Sequence, residues 1–382
     1  MAVPGWARRA AARFADLVDW VEEHFPPGTA ESWDRVGVVC GDPADPLQDV
    51  LLTVDVTPAV VAEAIDSGVQ AIIAHHPLLL RGVHGIDART PKGRMVQDLI
   101  RNRIGLITAH TNGDSATHGV GTALATAIGL TGQTPLAPAS SAALDQLVTF
   151  VPTDHLAPVV DALAAAGAGA IGDYDRCHFH HGGTGSFRPT TGADPFIGSV
   201  DEVAQVPEER LEMVLPRSVR GPVLAALKSA HPYEEPAYHV LELASEAADT
   251  GLGRVGELPE PMSARAFAAR LSGLLPETVT GVRMAGDPER RIQTVAVLPG
   301  AGDSMLDQAR GRGVDAYITS DLRHHPAAEF IEHDDAPVLF DIAHWAAEQT
   351  WLPLLASLLS ESGPGVGSQI SQVRTDPWSL RV

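Results

Sequence analysis

Short apolar runs alternate along this chain with longer stretches whose apolar positions recur at helical spacing. Residues 50–77, VLLTVDVTPAVVAEAIDSGVQAIIAHHP, predict a strand, a turn, a helix, a glycine stop and a second strand ending in His-His-Pro. Residues 295–326, VAVLPGAGDSMLDQARGRGVDAYITSDLRHHP, predict the same succession, with four extra residues before the final His-His-Pro. After each comes a helical stretch and another apolar strand. One of those strands runs into AHTNGD at 109–114, the other into AHWAAE at 343–348. Strands alternating with helices imply parallel pairing with helices on both faces. The expected class is α/β: two duplicated halves, residues 1–137 and 249–382, forming one body with a parallel-rich sheet.

Residues 138–248 are patterned differently. LDQLVTFVPTDHLAPVVDALAAAGAG reads as a strand and a helix, and RLEMVLPRSVRGPVLAALKSAHPYEEPAYHVLEL as strand, helix, strand. The glycine-rich CHFHHGGTGSFRPTTGADPFIG between them reads as a hairpin. This predicts an inserted ferredoxin-like α+β domain. Its boundaries fall in TGQTPLAPASSAA and ASEAADTGLGRVGELPEPMS. Near the start of the chain, Phe14, Leu17, Val18 and Val21 recur at helical spacing, while Asp16, Asp19, Glu22 and Glu23 interrupt any apolar core. An amphipathic helix lying on the body is expected there, not a signal peptide.

Composition narrows the function. The 382 residues are 45% hydrophobic, with 48 Asp+Glu against 27 Lys+Arg and a formal charge of −21. So acidic a chain, without a basic run, repels phosphate backbones, which argues against nucleic-acid binding. No uncharged apolar run reaches the roughly 18 residues a membrane span needs. Cys40 and Cys177 are the only cysteines, too few for a disulfide framework or a Cys-x-x-Cys zinc site, so the expected setting is the cytoplasm.

The candidate chemistry lies at strand ends, where α/β sheets collect ligands. His75 and His76 close the strand before Pro77. His344 and Glu348, four apart on a predicted helix, project from one face. His110 and Asp114 repeat that spacing, in what Asn112 and Gly113 predict to be a turn. Together these are four imidazoles and two carboxylates, all expected at one sheet. A single catalytic zinc takes about three protein ligands. Six candidates suit two ions sharing a carboxylate, about 3.5–4 Å apart, the geometry of metal-assisted hydrolysis.

Other groups compete for attention. His324 and His325 are the repeat-mates of His75 and His76, but the insertion TSDLR displaces them toward the cavity wall. Cys177, His178, His180 and His181 are expected on a surface strand. PGAGDS at 299–304 reads equally as a phosphate-holding turn and as a plain tight one. Trp33–Gly37 reads as structural, with Asp34 lining the cavity.

WDRVGVVCGDP, IIAHHPLLL, AHTNGD, HPYEEPAYHV, PGAGDS, DAYITSDLRHH and DIAHWAAE together resemble the family named for Ngg-one-interacting factor three. Its members are dinuclear-metal proteins, often called GTP cyclohydrolase I type 2 homologues. The resemblance covers nearly the whole chain. It implies an α/β fold, a hexameric toroid, and metal ligands at His75, His76, His110, Asp114, His344 and Glu348, with Glu348 bridging the ions. Two departures stand out: Ser320 occupies the glycine position of the usual TGD, and His178 and His180 replace less coordinating residues. The expected function is a metal-dependent hydrolase with two divalent ions per chain (zinc, iron or manganese). It would act on a nucleotide or phosphoester-type small molecule through a metal-activated water, with Glu348 and Asp114 as catalytic carboxylates. The alternative is a metal-binding toroidal scaffold that engages protein partners without turnover.

Overall fold

The computed structural model describes residues 12–139, 143–244 and 249–382. The chain divides into two compact units, one made of residues 1–139 with 249–382 and the other of residues 140–248.

The first unit is mixed α/β with two main sheets. One has five strands in the order Gly37–Cys40, Gly105–Thr108, Ala71–Ala74, Asp49–Thr53, Gly367–Ile370. All neighbours in it are parallel except Gly37–Cys40, which runs antiparallel to Gly105–Thr108. The other has six strands: Val282–Ala285, Val338–Ile342, Ala316–Ser320, Arg291–Ala301, Arg254–Ser263, Thr131–Thr134. Its second to fourth strands are parallel, and the flanking ones antiparallel. Ala71–Ala74 and Gly105–Thr108 are buried throughout, as parallel strands covered on both faces must be.

The expectation of one parallel-rich sheet is therefore corrected to two. Each parallel trio has both edges occupied by further strands. Gly367–Ile370 takes the free edge of Asp49–Thr53, and Arg254–Ser263 takes that of Arg291–Ala301. No ladder position is left for one trio to pair with the other, so they meet through side chains. The helix Val120–Ala127 gives Val120 and Ala123 to the core of the first sheet, and Leu124 and Ala125 to that of the second. Ala347 and Trp351, near the junction of the helices His344–Gln349 and Trp351–Ser362, divide the same way. The helix Phe14–His24 buries Phe14, Leu17, Trp20 and Val21.

The second unit runs strand Leu144–Pro152, helix Leu156–Ala165, strands Phe179–Phe187 and Ala204–Pro216, helix Arg220–Ala230, strand Tyr238–Glu242. The sheet order is fourth, first, third, second, antiparallel throughout. Leu147, Leu211 and Met213 of the sheet pack on Val159, Leu163 and Leu227 of the helices. No helix among the described residues is long and apolar enough to cross a membrane.

Candidate metal centre

His75 and His76 stay in register beyond their strand. His75 N–H donates to Thr53 O at 3.1 Å and His76 N–H to Val54 O at 2.8 Å, before Pro77 ends the ladder. From the neighbouring strand, Ala109 N–H reaches Ala74 O at 3.0 Å and delivers His110 to the same edge. Residues Thr111–Ser115 form a short helix, which corrects the predicted turn. Tertiary anchors outweigh its poor propensity: Thr111 donates from N and Oγ1 to Asp34 Oδ2 at 3.0 and 2.6 Å, and Asn112 Nδ2 donates to Phe25 O at 2.7 Å. In the second sheet, the strand Val338–Ile342 leads into helix His344–Gln349. One helical turn sets His344 Nε2 2.8 Å from Glu348 Oε1.

All four histidines are held by the same ring atom. Nδ1 of His75 donates to Ala109 O (3.0 Å), that of His76 to Asp55 Oδ1 (2.7 Å), that of His110 to Asp34 Oδ1 (2.9 Å) and that of His344 to Asp321 Oδ2 (2.7 Å). Such bonds select the tautomer whose Nε2 lone pair points at the cluster, the arrangement seen around metal-ligating imidazoles. Glu348, 2% exposed, lies at the centre: Oε1 is 3.5 Å from His75 Nε2, and Oε2 is 3.0 Å from His76 Nε2. Asp114 Oδ1 stands 3.8 Å from His75 Nε2. Gly300, at φ +82°, makes room for the carboxylate, since a Cβ there would lie 3.1 Å from Glu348 Oε1.

Among the described residues, two groups of three donors have ligand atoms within 4.8 Å of one another: His75, His76, His110 and His76, His344, Glu348. His76 belongs to both, while Asp114 lies outside them beside His75. His75 Nε2 is buried without a hydrogen-bond partner, and Glu348 Oε2 has none beyond its 3.0 Å contact with His76 Nε2. Orphaned buried polar atoms cost on the order of 1–3 kcal/mol each, and a cation would satisfy both. Imidazole with carboxylate is a donor set that suits zinc, iron or manganese. The residues fit a divalent ion.

The cluster is strongly coupled. Burial opposes protonation of His76, yet Glu348 and Asp55 raise it to about 11. His344 is likewise raised to about 10 against burial, by Glu348 and Asp321. His75 is raised by Glu348 and Asp114, again against burial. Burial pushes Glu348 up, but the three imidazoles hold it well below the ordinary carboxylate range. Burial raises Asp114 to about 6, more than His75 pulls it down. His110 is lowered, by burial first and then by His75.

Sequence reasoning did not single out Asp55 and Asp321, the carboxylates that orient His76 and His344. The available signal was an aspartate just past a strand end in each half, in TVDVT and TSD. Asp34, expected to line the cavity, is buried and holds His110 and Thr111. His324 and His325 open the helix His324–Ile331 and are exposed. His178 and His180 lie in the second unit, where His180 pairs with Glu209 at 3.0 Å. PGAGDS is a turn tied to the adjacent strand: Thr319 Oγ1 donates to Gly300 O at 3.1 Å and Tyr317 OH to Gly302 O at 2.9 Å. Ser320 sits in regular strand, and the left-handed residue there is Asp321, at φ +57°.

Comparison with known proteins places these observations. The model of the family Duf34/NIF3 (NGG1p interacting factor 3) matches residues 12–377. A Mycobacterium leprae protein named GTP cyclohydrolase 1 type 2 homolog is 47% identical over 372 residues, covering 97% of this chain and 96% of its own. The crystal structure of a Bacillus cereus protein related to NIF3 is 34% identical, with a TM-score of 0.69 over 97% of this chain and 100% of its own. That of Staphylococcus aureus protein SA1388 is 29% identical, with a TM-score of 0.79 over 97% and 99%.

Proposed function

This chain belongs to the Duf34/NIF3 family, and we propose that it is a metal-dependent hydrolase holding two divalent ions at His75, His76, His110, Asp114, His344 and Glu348. The observation that carries this is the convergence of three Nε2 atoms, of His75, His76 and His344, on one buried carboxylate, with His110 grouped beside His75 and His76 and all four rings tied at Nδ1. When bound, two such ions polarise a phosphoryl or ring carbon centre and lower the pKa of water toward neutrality. The side chains divide the remaining work. Glu348 faces donors of both groups and supplies the negative charge that lets two cations approach. Asp114 stands 3.8 Å from His75 Nε2 at the edge of the cluster, where a carboxylate oxygen left free of the ions could take up or pass on a proton. Asp34, Asp55 and Asp321 keep three imidazoles oriented through each cycle.

The substrate class we assign is a nucleotide or phosphoester. The relatives' name suggests GTP, but a shared site does not settle a substrate. The matching parallel trios support duplicated halves at 1–137 and 249–382. The strand order of the second unit supports a ferredoxin-like insertion at 138–248. A cytoplasmic homohexamer completes the reading, and sedimentation would measure its assembly.

A scaffold that merely stores ions would share the cluster, and Glu348→Gln separates the two roles. The substitution keeps size and one acceptor oxygen but removes the charge. Affinity for the second ion should fall at least ~10–100-fold, and more than for the first. With excess metal refilling the site, hydrolysis of nucleotides should stay absent in an enzyme. Wild-type turnover by the refilled variant would refute the role of Glu348 in hydrolysis. Unchanged binding of both ions would remove it from the site.

A further inference from the structure

A cavity of about 840 Å³ opens over His76 and His344, and its walls come from distant parts of the chain. Lys92 contributes from the first turn of the helix Pro91–Arg101, and Trp345 from the position after His344. Another wall is the C-terminal tail, residues 375–381. The tail is tethered to the cluster, because Thr375 Oγ1 donates at 2.5 Å to Asp55 Oδ2, and Asp55 Oδ1 holds His76.

The chemistry of these walls is specific. Lys92 and Lys228 are the only lysines in a chain of formal charge −21, and one of them stands at this mouth. Arg283, also in the wall, is occupied by Asp341. Lys92 and Arg381 form no ion pair among the described residues. Two cations without partners next to a proposed metal centre provide for an anion. On the tail, Trp378 is 66% exposed, an indole with most of its ring unpacked. Beside it Asp376 also lines the cavity, and its Oδ2 is buried without a hydrogen-bond partner. A flat aromatic face, a carboxylate in the wall and cations together match a ring with N–H groups joined to an anionic group.

We infer that the cavity takes a ring-bearing anion, a nucleotide rather than a bare sugar phosphate, and that the C-terminal tail makes this choice. Trp378 stacks on the base, Asp376 accepts from its N–H groups, and Lys92 with Arg381 holds the phosphate. The inference rests on the hydrolase reading for what the ions do to the ligand, but not for how the ligand is recognised.

Calorimetric titration of the full-length, metal-loaded protein with GMP and with ribose 5-phosphate tests it. GMP should bind at least tenfold more tightly. Trp378→Ala should weaken GMP by about 5- to 150-fold, the range that base–aromatic stacking spans, and leave ribose 5-phosphate unchanged. Lys92→Ala should weaken both ligands. Metal content measured on the same samples should match wild type, since neither side chain belongs to the cluster. Equal affinity for the two ligands, no binding of either, or an unaffected Trp378→Ala would overturn the tail's role. Discrimination by a protein that holds no metal would overturn the hydrolase reading and leave this one standing.

Discussion

The tripeptide His-His-Pro occurs twice, at 75–77 and 324–326, and the two copies have opposite fates. The first continues a buried strand, its rings packed 5.0 Å apart and pointing at Glu348. The second begins a helix and lies in solvent. Strand register explains the difference. Leu52 pairs with Ile73 in one sheet and Val297 with Ile318 in the other, so Ser320 and Asp321 occupy the positions of His75 and His76. The four extra residues carry the second histidine pair past the strand end. Asp321, in the place of a proposed ligand, instead orients His344. Distance from the strand end decides which pair joins the cluster, and the motif alone does not.

The largest effect expected is the contrast between these pairs. His76→Ala removes a member of both donor groups and should cost both ions, while His344→Ala should cost mainly one. Exchanging His324 and His325 together for alanine should leave the metal content unchanged. Elemental analysis of folded protein, checked by circular dichroism, reads all three. Full occupancy in His76→Ala would refute the assignment, and loss of metal in the double variant would refute the register argument. Wild-type occupancy should also fall with pH. His76 and His344 carry protons up to about 11 and 10, so loading at neutral pH must release them, and acid favours the protonated cluster.

What could be read from the sequence follows from how local each feature is. His344 and Glu348 were legible because helical geometry fixes their relation within one turn. The strand-end histidines were legible because an apolar run followed by Pro marks where a ladder stops. The orienting bonds were not. Whether Asp55 meets His76 depends on loops from separate strands, and no spacing encodes it. The division into two sheets was hidden for another reason. The strands that fill the edges include Thr131–Thr134 and Gly367–Ile370, short and polar segments with no apolar signal. At Thr111–Ser115, bonds to Asp34 and Phe25 override a local preference for turn.

An intermediate effect sharpens the comparison further. Asp55 and Asp321 perform the same task in different halves, each accepting from Nδ1 of one histidine at 2.7 Å. Asp55→Asn and Asp321→Asn keep an acceptor but lose the charge that raises ligand basicity. Each should lower metal affinity about 10–100-fold, less than removal of a histidine. Metal titration against a competing chelator measures both. An effect in only one half would show that the two carboxylates are not equivalent.

The smallest effect belongs to Ser320, which stands where the other half has His75. Its side chain is fully buried, and Oγ has no hydrogen-bond partner among the described residues. A buried hydroxyl left unpaired opposes folding by about 1–3 kcal/mol, although alanine also forfeits a little packing. Ser320→Ala should therefore leave metal content unchanged and stabilise the fold by about 1 kcal/mol. Ser320→Gly, which restores the family's usual residue, should give back about 0.5–1 kcal/mol of that, because the strand conformation needs no glycine and the chain loses entropy. Denaturant midpoints at constant slope would resolve this ranking. Destabilisation of Ser320→Ala by more than about 1 kcal/mol would mean that the hydroxyl has a partner. Loss of metal in that variant would mean that this strand end contributes to the site as its counterpart does.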